Sequence, residues 1–221
     1  MGQAIGESVF DAVYLSFAVI AGLFMIIKGK TRLAKEAGLM SALLGFGDAF
    51  HLIPRCYALW TTGLEANAAI LGVGKLITSI TMTIFYLILY YIWRDYYKIE
   101  GRKETTIAMW CLFLSRVILC AFPQNMWTSA NPPLFWGILR NIPFAVMGII
   151  IIILFYQENR KSSSNTFKYM SIAVALSFLL YAPVVLFAHI YPAVGMLMIP
   201  KTLAYVWVII MAMKLYKENA S

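Results

Sequence analysis

The sequence predicts an all-α membrane protein with seven transmembrane helices, and three observations support this fold class. The 221 residues are 62% hydrophobic and only 13% charged, which is more apolar surface than a soluble domain of this length could bury. Apolar stretches of about 18 residues or more recur along the whole chain. The basic residues cluster between these stretches. We therefore predict that residues 1–221 form one transmembrane domain.

Each predicted span follows one apolar stretch of the chain. The third stretch is long because Tyr90, Tyr91 and Trp93 are expected in the interface, where amphipathic rings prefer to lie. The seven predicted spans are 9–28, 37–56, 66–93, 104–122, 133–156, 167–190 and 194–214.

The loop charges predict the orientation of the chain. Segments 1–8, 57–65, 123–133 and 190–195 contain no Lys or Arg. The segments on the other side contain Lys28, Lys30, Arg32, Lys35, Arg94, Lys98, Arg102, Lys103, Arg160, Lys161, Lys168, Lys214 and Lys217. The positive-inside rule therefore places the N-terminus outside and the C-terminus in the cytoplasm of a multi-pass protein of the inner or plasma membrane.

The same distribution excludes other classes of protein. A net charge of +8 would suit a nucleic-acid binder, but these charges flank apolar spans, so we expect a lipid bilayer as partner and no nucleic acid. Two histidines and three cysteines without CxxC spacing do not predict a metal site, and no cofactor is expected.

Two segments of the chain, 9–98 and 133–217, resemble each other at offsets of 126 to 130 residues. Phe17-Ala18-Val19-Ile20 pairs with Phe144-Ala145-Val146-Met147, Met40-Ser41 with Met170-Ser171, Pro54 with Pro183, and Lys75 with Lys201. With 104–122 as a linker helix, this predicts a parallel 3+1+3 repeat. That organisation resembles the SWEET and PQ-loop transporters and the KDEL receptor in architecture.

Charged side chains within the spans are the candidate functional residues, because such groups are costly in hydrocarbon. The ionisable residues within the spans include Asp11, Asp48, His51, Arg55 and His189. Four further cations lie six to nine residues from the predicted outer end of their spans. These four cations are Lys75, Arg116, Arg140 and Lys201. Because the embedded carboxylates can neutralise only part of this charge, we predict an outward-facing cationic pocket for a small anionic solute or a lipid headgroup.

A second reading starts from Asp48 and His51, which are three residues apart and share a helix face. They could tune the charge of the pocket, carry a coupled proton, or act as acid and base. The segment Gly47–Arg55 resembles the Gly-Asp segment of the YhhN-like lysoplasmalogenases, and this resemblance implies a membrane-embedded lipid hydrolase. An anion-binding protein or transporter is the first hypothesis, this hydrolase is the alternative, and a non-transporting receptor is the third.

Overall fold

The computed structural model describes residues 2–161, 166–188 and 190–218, without the side chains of Gln3 and Pro192. In these residues the regular structure is entirely helical. Two short 3-10 helices, Pro123–Asn125 and Pro192–Leu197, come before the fifth and seventh long helices. The long helices are α1 (Gly2–Lys28), α2 (Arg32–Trp60), α3 (Ala68–Tyr96), α4 (Lys103–Ala121), α5 (Leu134–Lys161), α6 (Met170–Phe187) and α7 (Met198–Glu218).

All seven helices are long and apolar enough to cross a membrane, with a mean hydropathy between 1.2 and 2.4 over 18-residue windows. This confirms the predicted number of helices. Some ends differ from the prediction because polar contacts extend a helix beyond its apolar stretch. The Thr31 hydroxyl caps α2 by accepting a hydrogen bond from the Ala34 backbone N–H at 3.2 Å, so α2 begins five residues before its predicted span 37–56.

The helices form a closed ring. Each helix contacts the next along the chain, and α7 returns to contact α1 and α2. Helix α3 contacts α2, α4 and α5, and half of its most apolar window is buried. Its fully buried aromatic residues Phe85, Tyr86, Tyr90 and Trp93 form the centre of the hydrophobic core.

Close helix packing depends on glycines at the contacts of α2. A Cβ atom at Gly22 would lie 2.7 Å from the Ala42 Cα, and one at Gly38 would lie 2.8 Å from the Gly22 carbonyl oxygen. At the contact with α3, a Cβ on Gly47 would collide with Thr81, and one on Gly74 would collide with the Phe50 carbonyl. Small residues let apolar helices approach closely where no hydrophobic effect drives them together, as in lipid.

The exterior of the bundle carries large exposed apolar side chains. On α1, Val13, Ile20 and Ile27 are 66%, 67% and 73% exposed, and their spacing of seven residues places them on one face. Such a surface would promote aggregation in water but suits a hydrocarbon environment. The exterior therefore agrees with a multi-pass membrane protein.

The two ends of the bundle differ in their side-chain contacts. We call the end with the α1–α2, α3–α4 and α5–α6 connections the basic end. There the Arg94 guanidinium donates to the backbone carbonyls of Ile99 at 3.1 Å and Gly101 at 2.9 Å, which holds the α3–α4 connection. We call the opposite end, with the start of α1, the N-terminal end. The end of the bundle that faces the cytoplasm stays a prediction, and so does the 3+1+3 repeat.

Candidate functional site

A cavity of about 210 Å³ lies at the N-terminal end, between α2, α3, α5 and the α4–α5 connection. We call it the mouth cavity. Three of the six predicted site residues line it, namely His51 from α2, Lys75 from α3 and Arg140 from α5. Arg55 and Trp127 also line the mouth cavity. The structure therefore brings part of the predicted cationic set together around one open space.

Helical spacing and a close backbone contact shape this cavity. Leu71 and Lys75 are four residues apart on α3, and His51 and Arg55 are four apart on α2, so each pair lies on one helix face. A Cβ on Gly72 would collide with the Trp127 carbonyl, so glycine allows the α4–α5 connection to lie directly on α3. This contact forms one wall of the mouth cavity.

Lys75 is the least compensated cation of the mouth cavity. The charged groups that act on its ammonium are the guanidinium groups of Arg55 and Arg140. In the described ranges no carboxylate oxygen lies within 4 Å of its Nζ. Arg55, in contrast, is paired through two hydrogen bonds with the Glu7 carboxylate, at 2.8 and 3.2 Å. The mouth cavity therefore holds surplus positive charge, although the exposed Glu65 also lies on its rim.

Arg140 joins α5 to the connection that follows α4. Its Nη1 donates to the Asn125 side-chain oxygen at 2.8 Å, and its guanidinium lies 4.1 Å from the centroid of the Trp127 ring. The fully buried Asn125 in turn donates to the backbone carbonyls of Leu119 at 2.7 Å and Phe122 at 2.8 Å. Asn125 holds Arg140 in place without neutralising its charge.

Arg116 lies away from the mouth cavity and is almost fully buried, with 2% of its surface exposed. Its guanidinium carbon lies over the Phe144 ring at 3.5 Å from the centroid, and its Nη2 makes a long contact of 3.5 Å with the Asn141 side-chain oxygen. The buried Nε and Nη1 atoms have no hydrogen-bond partner. Buried donors without partners are rare in proteins and are expensive when the group is charged.

Asp48 and Lys201 face each other across the centre of the bundle. The Tyr14 hydroxyl donates to the Asp48 carboxylate at 2.7 Å, and this carboxylate attracts the Lys201 ammonium. Lys201 Nζ lies 4.8 Å from the centroid of the Tyr181 ring and 5.3 Å from that of Tyr205. Aromatic faces and one carboxylate therefore surround the Lys201 ammonium.

These inner groups form one polar layer to which every helix contributes. Tyr86 and Tyr205 extend it across the bundle, because their hydroxyl oxygens are 3.3 Å apart. We call the following residues the central layer: Tyr14, Asp48, Tyr86, Arg116, Phe144, Tyr181, Lys201 and Tyr205. The structure thus divides the six predicted residues into two groups, with three in the mouth cavity and three in the central layer.

The predicted partnership between Asp48 and His51 is not a direct one. Asp48 is engaged by Tyr14 and Lys201, whereas His51 lines the mouth cavity and lies next to the Leu71 backbone. No hydrogen bond joins the two side chains in the described residues, and the His51 Nδ1 atom has no partner. His189, another candidate from the sequence, lies outside the described residues.

A larger cavity of about 410 Å³ lies elsewhere on α2 and α3, between residues such as Phe50, Pro54, Val73 and Ile77. Its lining residues are all apolar. On both helices these residues are on the face opposite to the mouth cavity, because they are offset from His51 and Lys75 by about half a turn. This groove offers no charged group to a polar ligand.

Neutral polar side chains contact the charged residues of both the mouth cavity and the central layer, and hydropathy does not distinguish them from other residues of the spans. Tyr14, Asn125, Tyr181 and Tyr205 could equally pack as core or interface residues. Helical spacing is the one signal that the sequence gives, since Tyr205 lies four residues after Lys201. Comparison with known proteins does not help to interpret the site, because no family model, no curated protein and no solved structure matches this chain.

Proposed function

We propose that this chain is an integral membrane protein that binds a small anion in the mouth cavity and transports it across the membrane. The observation that carries the proposal is Lys75, which lies in an open cavity beside Arg55 and Arg140 and has no carboxylate partner in the described residues. Like charges repel one another, so this arrangement is most stable when an anion lies among them. In the predicted orientation, the mouth cavity opens to the outside.

The donors of the mouth cavity suit a small oxyanion. Arginine offers planar, paired donors to a carboxylate, sulfonate or phosphate, and lysine supplies a point charge. A volume of about 210 Å³ accepts a compact solute and is smaller than most drug-sized ligand pockets. Trp127 forms part of the wall beneath Arg140, so a bound anion would lie close to its indole ring.

Transport, in contrast to binding alone, is supported by the central layer. A receptor for an external anion needs no further cations deeper in the bundle, where their burial costs several kcal/mol each. The chain nevertheless keeps Arg116 and Lys201 there. Cations at two successive levels provide an anion with a second position along the bundle.

The lipid hydrolase is less well supported by the same geometry. An acid–base pair must converge on one substrate bond. Asp48 is instead occupied by Tyr14 and Lys201, and His51 lies in a cavity with three cations. Release of product from a lysophospholipid that is lost in Asp48→Asn would nevertheless show that the hydrolase is the correct function.

The first experiment uses iodide, a monovalent anion that quenches tryptophan fluorescence on contact. Subtracting the signal of Trp127→Phe from that of the detergent-purified full-length protein isolates the response of Trp127. We expect iodide to quench Trp127 more strongly than neutral acrylamide does. Lys75→Gln should lower the apparent iodide affinity by about tenfold or more, because a hydrogen bond to a charged group contributes about 1.5 to 3 kcal/mol.

Lys35→Gln is the matched control, because it removes the same charge from an exposed position at the basic end. It should leave the quenching of Trp127 unchanged. Equal iodide responses from the wild type and Lys75→Gln would contradict the anion site. A receptor would be indicated if Lys75→Gln loses iodide binding while the wild type shows no anion flux in proteoliposomes.

A further inference from the structure

We infer that Arg116 and Lys201 form a second, inner anion site that accepts one monovalent anion from the mouth cavity past the side chain of Tyr181. This inference rests on the proposed function and deepens it. It separates the cations into two successive sites, and it specifies the charge of the ligand.

The first argument is the unmet bonding capacity of Arg116. This side chain is 2% exposed, and two of its three guanidinium nitrogens have no partner. The groups that act most strongly on its charge are Tyr181, Cys120 and Tyr205, of which the Cys120 thiol is a weak acceptor close to the guanidinium and none is a carboxylate. Burying a charged group without hydrogen-bond acceptors is costly, and a ligand that supplies acceptors would lower this cost. An oxyanion supplies both the acceptors and the opposite charge.

The second argument is the way Arg116 is held. Its guanidinium carbon lies 3.5 Å from the centroid of the Phe144 ring, and this cation–π contact holds the group without occupying an N–H donor in a conventional hydrogen bond. The amide oxygen of Asn141 makes one long contact with Nη2. The guanidinium is therefore positioned while most of its donors stay available.

The third argument concerns charge. Among the described residues of the central layer, Arg116 and Lys201 are cations and Asp48 is the one carboxylate. Asp48 is the carboxylate that acts on Lys201, whereas the groups that act most strongly on Arg116 include no carboxylate, so the surplus positive charge of the layer lies on Arg116. A monovalent anion would neutralise the layer, whereas a divalent anion would leave an uncompensated negative charge in a region of low dielectric. The inner site should therefore prefer a monovalent oxyanion.

The fourth argument is the position of Tyr181, which links the two groups of cations. Its phenol acts on Arg140 of the mouth cavity and on Arg116 of the central layer. Its ring is also 4.8 Å from the Lys201 ammonium. Because Tyr181 acts on a cation of each group, its phenol hydroxyl is the donor that we expect to meet an anion moving between them.

The test compares methanesulfonate with sulfate in proteoliposomes that contain the full-length protein. These anions share an oxygen-donor geometry but differ by one unit of charge. We expect the wild type to carry methanesulfonate at least tenfold faster than sulfate. Arg116→Met should lower methanesulfonate flux by tenfold or more while the iodide response of Trp127 stays at the wild-type value. In anion-free buffer, the melting temperature of Arg116→Met should equal or exceed that of the wild type, because the variant removes an unpaired buried charge.

Tyr181→Phe provides a second and milder variant, because it keeps the ring and removes only the hydroxyl. It should slow methanesulfonate flux by about tenfold and leave the response of Trp127 unchanged. Wild-type flux in both variants, with a normal iodide response, would overturn the inner site and leave the proposed function intact. A lower melting temperature of Arg116→Met in anion-free buffer would also overturn it, since Arg116 would then be a structural group. Absence of both iodide binding and flux in the wild type would overturn the proposed function itself, and the inner site with it.

Discussion

Replacing Asp48 with asparagine tests how the central layer balances its charges. Asparagine keeps the shape of the side chain and an oxygen that can accept the hydrogen bond from Tyr14, which is 2.7 Å long in the native protein. The change removes only the negative charge that attracts Lys201. Asp48→Asn should therefore destabilise the fold through Lys201 and not through a loss of packing.

Coulomb's law limits the size of this effect. Two unit charges 4 Å apart attract each other by about 4 kcal/mol at an effective dielectric constant of about 20. The Asp48 carboxylate and the Lys201 ammonium have no N–O contact within 4 Å, so their attraction is smaller. We expect Asp48→Asn to lower the free energy of unfolding by about 1 to 3 kcal/mol. For a chain of 221 residues, each kcal/mol lowers the melting temperature by about 2 to 4 °C.

The assay is a double-mutant cycle on the detergent-purified protein, with melting temperature as the readout. Asp48→Asn and Lys201→Met should each be destabilising, and the double variant should be more stable than the sum of the two effects predicts. Glu7→Gln is the control, because its partner Arg55 is 30% exposed and such a pair contributes at most about 1 kcal/mol. Strictly additive effects at Asp48 and Lys201 would refute the reasoning.

Asp48→Asn also changes the charge that the central layer offers to a ligand. Without this carboxylate, Arg116 and Lys201 leave a surplus of two positive charges. Sulfate should then stabilise the variant more than methanesulfonate does, which reverses the order expected for the wild type. An unchanged order would mean that neither cation contacts the anion.

Three further variants test separate contacts. Gly72→Ala should shift the α4–α5 connection, because the added Cβ would collide with the Trp127 carbonyl, and this shift should weaken iodide binding. Gly6→Ala is the control, because its Cβ would meet no atom within 4 Å. Tyr14→Phe should lower the free energy of unfolding by about 1.5 to 3 kcal/mol, the contribution of a hydrogen bond to a charged group, as measured by thermal unfolding. Arg94→Gln should speed proteolysis of the α3–α4 connection, because its bonds to the Ile99 and Gly101 carbonyls are lost.

The fold was predictable because hydropathy reports what a helix needs to cross a membrane. All seven helices were found from their apolar stretches, and the errors lie at their ends. Helix α1 begins at Gly2, before its predicted span 9–28, because the Glu7–Arg55 ion pair and the hydrogen bond from Trp60 to Ser8 hold its polar first turns on α2. Such contacts join residues about 50 positions apart, and hydropathy has no access to them.

The site was predictable only in part, because hydropathy gives the distance of a charge from the end of its own helix, but neither its direction around the helix axis nor the height of that helix in the bundle. Lys75 and Arg140 were expected in one pocket with Arg116 and Lys201, and the structure separates these two pairs. The rotation and the height of each helix, which tertiary packing sets, decide this separation: Arg116 contacts Phe144, four residues beyond Arg140 on α5. Neutral partners such as Tyr181 were missed for a related reason, since tyrosines in spans more often belong to the core or the interface.

Aromatic rings offer a physical reason why so many cations can remain in an apolar bundle and stay available to the proposed anion. Arg116 lies on Phe144, Arg140 on Trp127, and Lys201 near Tyr181, at 3.5, 4.1 and 4.8 Å from the ring centroids. Such contacts contribute about 0.5 to 2 kcal/mol each. A carboxylate partner would stabilise a buried cation more strongly, but it would also cancel the charge. An aromatic ring lowers the cost of burying the cation and leaves its positive charge in place. A ring is therefore the partner expected for a buried cation that binds an anionic ligand.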